Sequence, residues 1–352
     1  MTAVERPAER REAAAAGTDL LARAASSKLT QQAFGYWQSG ALFELLSSGL
    51  ADHLDGNSSG EELALECGLN PDGTLALLRA AQAMGVAAPA GTGWTLTPAT
   101  KPFLDPGSPT SLRHWFAVMD RWRKPWSSLS TTLQSTEGGG GSARLEGDPA
   151  YVRDFIIGMH EFARLSSKAV IDAGRDAFPA PGARDTLLDV GGGAGTYAIA
   201  ALLAAPDATG TVLDHPDVIP LCAEIARQEG VADRLSEAAG DYRGSYGDQR
   251  YGTVLLSNVL HQEDDDNAVA MLRESRRVTR PGGHVVVHTH LSGEQRPKLF
   301  PALQGVSAFV LWSGGAGMTE ARLHRLLHAA ELQAARISTV RDSGTTLAVC
   351  PV

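Results

Sequence analysis

The stretch Thr186-Leu-Leu-Asp-Val-Gly-Gly-Gly-Ala-Gly-Thr196 decides the fold of this chain. Its apolar residues predict a buried strand that breaks into a glycine turn and continues into an alanine-rich helix. Glycines allow positive φ and a close approach of the backbone to a ligand. The spacing of Gly191, Gly193 and Gly195 differs from the dinucleotide fingerprint, whose last gap is two residues. Asp189, at the carboxyl edge of this strand, predicts a ligand with a cationic amino group.

Short apolar runs alternate with helical segments throughout residues 181–352. Such a βα repeat predicts an α/β fold with a Rossmann-like, doubly wound and mostly parallel sheet. Ser338–Asp342 and Thr345–Val349 predict a closing antiparallel hairpin. The other predicted strands are Leu187–Val190, Gly210–Asp214, Leu235–Ala239, Thr253–Ser257 and His284–His288.

The N-terminal part is predicted to be a separate, mainly helical domain. We expect a flexible arm over residues 1–18 and a winged-helix unit over residues 19–107, with Ser59 capping a short helix and a hairpin turn at Gly91-Thr-Gly93. The second long helix, Gly73 to Met84, contains one arginine and no lysine. Binding in a DNA groove needs cationic side chains against the phosphates. The unit is therefore predicted to mediate homodimerisation and not to bind nucleic acid.

The composition indicates an ordinary globular protein. The chain has 352 residues, 43% apolar residues and a net charge of −9, which disfavours nucleic acid as a partner. Its three cysteines are widely separated and predict reduced thiols. No apolar run approaches 18 residues, and the charged N-terminus does not resemble a secretory signal. We therefore expect a cytoplasmic protein without a membrane segment.

Residues 108–180 are expected to form helices that link the two domains. Their aromatic cluster favours either helix packing across the junction or the lining of a pocket for a flat, apolar substrate. The predicted pocket residues are Trp115, Phe116, Met119, Trp122, Met159, Phe162 and Arg164.

Five motifs in this order make the chain similar to a known family. Over residues 28–352 it resembles the class I S-adenosylmethionine (SAM)-dependent methyltransferases, and more closely the small-molecule O-methyltransferases with plant caffeate and bacterial antibiotic members and an N-terminal winged-helix dimerisation domain. The motifs are Asp189-Val-Gly-Gly-Gly-Ala-Gly, Val212-Leu-Asp214-His-Pro-Asp-Val, Ala239-Gly-Asp241-Tyr, Asn258-Val-Leu-His261 and Arg280-Pro-Gly-Gly283.

The resemblance implies SAM as the cofactor and a role for each motif. The glycines would approach its methionine part, and Asp189 would help to neutralise its ammonium. Asp214 would accept the ribose hydroxyls, Asp241 the adenine amine, and Tyr242 would pack on the ring. Ser257, at the end of the fourth strand, completes the expected cofactor set. Any one of these aspartates can instead cap the following helix.

His261, placed at the end of the fourth strand, is the general base in the resembled family. It would take the proton of a phenol or hydroxyl during methyl transfer, for which an imidazole that titrates near neutrality is suited. The alternative is a histidine that caps the helix starting at Glu263-Asp-Asp-Asp266.

Several positions depart from the family pattern. The usual Asp-Trp after the histidine is Gln262-Glu263 here, and the glutamate that orients the histidine is replaced by Gly317. Asp264 to Asp266 or Glu294 could supply the missing carboxylate. An imidazole without such a partner has no fixed tautomer.

The histidines suggest a second interpretation. His261, His288 and His290 lie at the ends of neighbouring strands, where neutral imidazoles could hold a divalent metal such as Fe(II) or Zn(II). Some relatives use a metal for β-carbon methylation of α-keto acids, and Arg121 or Arg164 could then meet the substrate carboxylate.

The sequence therefore predicts an enzyme that transfers a methyl group from SAM to a small aromatic metabolite of secondary metabolism, with O-methylation favoured. The alternatives are metal-assisted C-methylation, a SAM-binding winged-helix regulator without methyl transfer, and a protein that keeps SAM as a structural cofactor for another reaction.

Overall fold

The computed structural model describes residues 23, 27–135, 139, 148–293, 295, 297–333, 336–341 and 343–352. Contacts between Cα atoms divide the chain into one unit that ends at Ser111 and a second unit, Leu112–Val352. The expected arm over residues 1–18 and the candidate partner Glu294 lie outside the described residues.

The first unit contains the predicted succession of helix, short helix, helix and hairpin. Ser59 caps the short helix as predicted: its hydroxyl accepts from the Glu62 amide (3.3 Å), and the Glu62 carboxylate accepts from the Ser59 amide (2.8 Å). Asn70 caps the next helix through the Gly73 amide at 2.9 Å. The elements are α1 Lys28–Ser47, a 3-10 turn Leu50–His53, α2 Gly60–Glu66, α3 Pro71–Ala83, β1 Ala87–Ala90, β2 Gly93–Leu96 and α4 Lys101–Leu104.

The second unit begins with three helices and continues as a βα repeat. The helices are α5 Arg113–Ser127, α6 Leu129–Thr132 and α7 Pro149–Ala173. The repeat comprises β3 Thr186–Val190, α8 Thr196–Ala204, β4 Thr209–Asp214, α9 Ile219–Gln228, β5 Leu235–Ala239, β6 Tyr251–Ser257, a 3-10 turn Leu260–Gln262, α10 Asp265–Val278, β7 Thr279–Thr289, α11 Leu299–Leu311, α12 Glu320–Ala329, β8 Arg336–Thr339 and β9 Thr346–Pro351.

The described strands of this unit form one sheet in the order β5-β4-β3-β6-β7-β9-β8. The first five strands in this order, β5, β4, β3, β6 and β7, pair with one another in parallel. Strand β9 is antiparallel to both of its neighbours, β7 and β8. The doubly wound, mostly parallel fold and the closing hairpin are therefore confirmed. The strand order reverses next to β3, and the carboxyl ends of β3, β4 and β6 consequently meet beside one crevice.

Alternate residues of β3 face two hydrophobic cores. Leu187 belongs to the core shared with α7, α8 and α9, whereas Leu188 and Val190 belong to the core shared with α10 and α12. Both faces of the sheet are covered, which explains why its strands read as nearly continuous apolar runs.

Strand β6 ends earlier than the placement of His261 at a strand end implies. Asn258, which follows Ser257, has φ of +52°, a left-handed conformation that breaks the extended backbone. His261 therefore lies in the 3-10 turn Leu260–Gln262. Strand β7 extends to Thr289, which places His288 within the strand and His290 just beyond it.

Candidate active site

A cavity of about 320 Å³ opens at the carboxyl ends of β3, β4 and β6, within the usual size of small-molecule sites. It lies entirely within the second unit. Its lining combines backbone from the glycine turn with one face of α7, and consists of Phe155, Ile156, Met159, His160, Phe162, Ala163, Leu165, Ser166, Gly191 to Ala194, Thr196, Tyr197, Asp214, Tyr242, Ser257, Asn258, Val259, Gln262, His290, Ser343 and Thr345.

The glycine turn has the conformation that its sequence requires. Gly191, Gly193 and Gly195 have φ of +62°, +57° and +73°, backbone conformations that residues other than glycine rarely adopt. The first two line the cavity, whereas Gly195 is the N-cap residue of α8 and packs closely against neighbouring side chains. A β-carbon on Gly195 would lie 3.1 Å from Val212 and 3.2 Å from Cys222.

Asp214 lines the cavity and fixes the turn. Its carboxylate accepts from the Gly193 amide and from the His215 amide, both at 2.7 Å. Burial raises its pKa, although these two hydrogen bonds oppose the shift. Each carboxylate oxygen has a second lone pair for a ligand hydroxyl.

The two predicted adenine-side residues differ in their position. Tyr242 lines the cavity, and its ring lies 3.7 Å from where a β-carbon on Gly191 would be. Asp241 is exposed and outside the lining, and it accepts from the Arg243 amide at 2.9 Å. In this conformation Asp241 stabilises the loop and does not face the cavity.

Asp189 lies beneath the turn and does not point into the open crevice. It is fully buried, and a β-carbon on Gly192 would lie 2.7 Å from its carboxyl carbon. Within the described part of the chain, neither carboxylate oxygen has a hydrogen-bond partner of ordinary geometry, although the Ala198 amide is near enough to lower the pKa slightly. Burial, together with nearby Asp214, raises the pKa of Asp189 to about 7. A buried carboxylate without a charged partner would stabilise a cationic ligand group that comes near it.

The apolar end of the cavity is built by α7, which carries two of the residues that the sequence suggested for the pocket. Met159 and Phe162 line it, and Trp115 stacks on Phe162 with ring centroids 4.4 Å apart. The Trp115 amide donates to the Glu161 carboxylate at 3.0 Å, which holds this tryptophan behind the wall.

The remaining predicted pocket residues, Phe116, Met119, Trp122 and Arg164, do not line the cavity. Trp122 donates from its indole to the Tyr151 hydroxyl at 3.0 Å and packs edge-on against Trp312. Arg121 binds Asp148 at 2.7 Å and lies 4.1 Å above the Tyr151 ring. For Trp115 and Trp122, the interpretation as helix packing is the one that the geometry supports.

Two histidines of interest lie at or next to the cavity. His290 lines it and meets the Phe300 ring edge-on at 4.9 Å, and burial lowers its pKa to about 4. His261 lies outside the lining, but Val259 and Gln262 on either side of it are part of that lining. His261 is 6% exposed, and burial lowers its pKa to about 3. Both imidazoles are therefore neutral at physiological pH.

The structure shows why a glutamate is missing at position 317. A β-carbon on Gly317 would lie 2.9 Å from the Gly305 α-carbon, so the two backbones leave no room for a side chain. Asp264 does not replace it, because its carboxylate caps α10 through the Asn267 amide at 2.7 Å. Asp265 instead binds Arg322 at 2.8 Å.

His261 is consequently held through its backbone. Its Nδ1 is buried and has no hydrogen-bond partner among the residues that the structure describes, while its carbonyl accepts from the Ala316 amide at 3.0 Å. Arg322 donates to the carbonyls of Ala316 and Glu263, each at 2.8 Å. The ring packs edge-on against Trp312 at 5.6 Å, so packing and not a carboxylate orients it.

The metal site considered from the sequence is not formed by His261, His288 and His290. Among the residues that the structure describes, no three histidine, cysteine, aspartate or glutamate side chains lie close enough to hold an ion. His288 Nδ1 is instead 2.8 Å from the Ser257 hydroxyl, and its ring packs on Tyr197. This geometry does not support metal-assisted C-methylation.

Some lining residues were missed from the sequence, although α7 contains a usable signal. Phe155, Met159 and Phe162 recur at helical spacing, and His160 and Ala163 share that face. The His160 Nδ1 lies 2.9 Å from the hydroxyl of Thr196, the first residue of α8.

The buried histidines predict a stability that decreases as the pH is lowered. Burial lowers the pKa of His160 to about 4 and those of His261 and His288 to about 3, so the unfolded chain binds more protons below pH 6.5. Each of these histidines should lower the free energy of unfolding by roughly 1.4 kcal/mol per pH unit below pH 6.5. Asp189 has the opposite effect, because its raised pKa lets the folded protein bind a proton as the pH falls below about 7. It should offset the contribution of about one histidine. We expect urea unfolding to give a free energy several kcal/mol lower at pH 5 than at pH 7.

The matched variant for this measurement is His288→Asn, which removes one titrating group. Its free energy of unfolding should depend less steeply on pH, by roughly 1.4 kcal/mol per unit. Equal stability of the unmodified protein at pH 5 and pH 7 would contradict the burial of neutral histidines.

The helices of the described chain include none that is long and apolar enough to cross a membrane.

Comparisons with known proteins agree with this geometry. A model of the O-methyltransferase domain family matches residues 134–333. The 3-amino-4-hydroxybenzoate 4-O-methyltransferase of Streptomyces cremeus is 28% identical over 334 residues, which cover 90% of this chain and 87% of the relative. The phenazine O-methyltransferase PhzM of Lysobacter antibioticus is 28% identical over 74% of this chain and 78% of its own.

The fold is also found among solved structures. Human N-acetylserotonin methyltransferase in complex with SAM superposes with a TM-score of 0.79 at 20% identity, covering 100% of this chain and 99% of that chain. The family match spans more than half of the 352 residues. The chain therefore belongs to the O-methyltransferase family, and it is a SAM-dependent methyltransferase that acts on a small molecule.

Proposed function

We propose that this protein methylates a hydroxyl group of a flat, largely apolar aromatic compound of secondary metabolism. One observation carries the proposal: a single cavity is lined by the glycine turn and Asp214 at one end and by Met159 and Phe162 at the other. Cofactor and acceptor can thus be held side by side, and holding two reactants together accounts for a large part of such catalysis.

The cofactor end suits SAM in charge and shape. Asp189, buried beneath the glycine turn and outside the cavity lining, would favour a cationic amino group at this end through its charge and not through direct contact. The exposed backbone of Gly191 and Gly193 permits close approach, and Asp214 retains lone pairs for the ribose hydroxyls. The sulfonium of SAM supplies an electrophilic methyl group when the cofactor is bound.

The acceptor end suits an aromatic ring. Phe162, backed by Trp115, offers a flat apolar face, and Met159 adds an adaptable side chain. The names of the two curated relatives, an O-methyltransferase of an aminohydroxybenzoate and one of a phenazine, support this class of acceptor.

The chain's own residues have to orient the acceptor and receive its proton. The new bond joins the acceptor oxygen to the methyl carbon, the bond from that carbon to sulfur breaks, and the hydroxyl proton leaves. We assign this proton to His261, which is neutral, is held through its backbone and lies between two lining residues. His290 is the alternative acceptor because it faces the cavity directly.

The test is methyl transfer from trideuteromethyl-SAM to a panel of phenols, catechols and hydroxyphenazines, analysed by mass spectrometry. The proposal expects a mass gain on oxygen and one equivalent of S-adenosylhomocysteine (SAH) per product. A methyl group found on carbon or nitrogen would contradict O-methylation, and product formed without the label would contradict methyl transfer altogether.

We also propose that the protein is a homodimer assembled through its first unit. Helix α1 exposes an apolar surface: Leu29 is 77% exposed, Tyr36 73% and Trp37 59%. Exposed apolar surface of this kind marks interaction sites. Trp37→Glu should therefore shift the sedimentation coefficient from dimer to monomer. Leu65→Glu, on the 84% exposed Leu65 of α2, is the control and should stay dimeric. A monomeric unmodified protein would contradict this proposal.

The cysteines support a reducing compartment such as the cytoplasm. All three, Cys67, Cys222 and Cys350, are free thiols in the structure, and two of them are buried. Such thiols persist where the cell keeps cysteines reduced.

A further inference from the structure

The most unusual charged contact beside the cavity is an ion pair between the buried Glu263 and Arg243, whose side chain is 49% exposed. Glu263 is only 2% exposed, and its two carboxylate oxygens accept from Nε and an Nη atom of Arg243 at 2.8 and 2.9 Å. A two-pronged contact of this kind is among the strongest that side chains make. Burying a carboxylate is costly unless it is fully paired, so the geometry of this pair is tightly fixed.

The pair joins two loops that border the cofactor end. Arg243 follows Tyr242 in the loop after β5, and Glu263 follows the 3-10 turn after β6. The Arg243 guanidinium carbon lies 5.7 Å from the Tyr242 ring centroid. The same tyrosine ring approaches Gly191 and lines the cavity. Tyr242 is therefore close to both the glycine turn and the guanidinium.

Glu263 occupies the position where the resembled family carries a tryptophan against adenine, so this chain lacks that aromatic wall. We propose that the Glu263–Arg243 pair compensates for the missing tryptophan, because it fixes Tyr242 as the adenine-side wall and thereby sets the affinity for the cofactor. The pair consists of positioning residues, because neither side chain lines the cavity. The inference rests on SAM as the cofactor and is independent of the acceptor.

A second contact favours a role in the cofactor wall. The hydroxyl of Tyr246 donates to the Tyr242 carbonyl at 2.9 Å, which holds the backbone of the same residue. Backbone and side chain of Tyr242 are thus restrained by separate contacts. A planar guanidinium can bind a carboxylate with two donors and still lie against an aromatic ring, whereas a lysine ammonium cannot do both.

The test measures SAH binding by calorimetry for the unmodified protein, Arg243→Lys and Glu263→Gln. Both variants should bind SAH about tenfold more weakly, since each loses a charged hydrogen bond. The turnover number at saturating SAM should stay the same, while the KM for SAM rises in parallel with the Kd. Arg243→Lys keeps a cation beside the buried Glu263 carboxylate, so this variant still tests the proposal if Glu263→Gln does not fold.

Glu331→Gln is the matched control, because Glu331 forms an exposed pair with Arg276 at 2.7 Å, outside the cavity lining. It should leave the Kd for SAH unchanged. Folded Arg243→Lys with unchanged SAH affinity would overturn the proposal, as would a fall in turnover number with unchanged KM for SAM. An unmodified protein that binds SAH but methylates no phenol would refute only the proposed acceptor. One that binds no SAH would overturn both.

Discussion

Replacing Gly193 with aspartate is expected to abolish SAH binding while the protein stays folded. Gly193 has φ of +57°, lines the cavity and donates its amide hydrogen to Asp214 at 2.7 Å. The nearest atom to an added β-carbon is Ile156 Cδ1 at 3.8 Å, so the backbone has room for the substitution. The new carboxylate would, however, stand beside Asp214 at the cofactor end. The aspartate side chain would occupy space in the cavity that the cofactor needs, which should weaken SAH binding at least about 100-fold by calorimetry.

The control for this variant is Gly230→Asp. Gly230 has φ of +72° and no atom within 4 Å of an added β-carbon, so it shares the backbone strain and the added charge. It lies outside the cavity lining and should leave SAH affinity unchanged. If Gly193→Asp bound SAH as tightly as this control, the glycine turn would not be the cofactor site.

His261→Ala is expected to lower the turnover number about 100-fold without changing SAH affinity, because general bases contribute at least about that factor. His261 lies outside the cavity lining, and its loss therefore removes no cofactor contact. Burial lowers its pKa to about 3 and keeps the imidazole neutral throughout the neutral range, so it would take the proton only as methyl transfer makes the acceptor hydroxyl strongly acidic. The rate should accordingly show no inflection near pH 6.5 that belongs to His261.

Two further variants separate the candidate bases. His290→Ala tests the histidine that lines the cavity, and His324→Ala on the exposed face of α12 is the control for general effects. A larger loss of turnover in His290→Ala than in His261→Ala would transfer the role of the base to His290. Unchanged turnover in both would mean that alignment alone drives the reaction.

Much of the fold was predictable because local patterns determine it. The run from Thr186 to Thr196 combines apolar residues with glycines in a pattern that suits only a strand, a tight turn and a helix start, and the structure forms all three. Strand β5 and helix α8 begin and end at the predicted residues, since the apolar run and the helix start signal coincide there.

The details of the site were less predictable because they depend on contacts between distant segments. The left-handed Asn258 moves His261 out of the strand, and asparagine is merely tolerant of this conformation. The loss of the glutamate at Gly317 acquires a physical reason only when Gly305 of α11 packs against it. Likewise, Trp122 could not be assigned to packing before its partners Tyr151 and Trp312 were known.

The alternative of a non-catalytic regulator finds no support in the site. In the sequence, the missing glutamate favours this alternative, but the structure holds His261 through Ala316 and by packing on Trp312 instead. Membership in the O-methyltransferase family favours a catalytic role.

The central claim is that cofactor and acceptor occupy one cavity, and a crystal structure with SAH and an unmethylated phenol acceptor tests it most directly. We expect the SAH sulfur between the glycine turn and Ser257, with the acceptor ring against Met159 and Phe162. The acceptor oxygen should point toward that sulfur at about 5 Å, since an in-line transfer places it about 3 to 3.5 Å from the methyl carbon. An acceptor bound outside this cavity, or SAH bound away from Gly191 and Gly193, would contradict it.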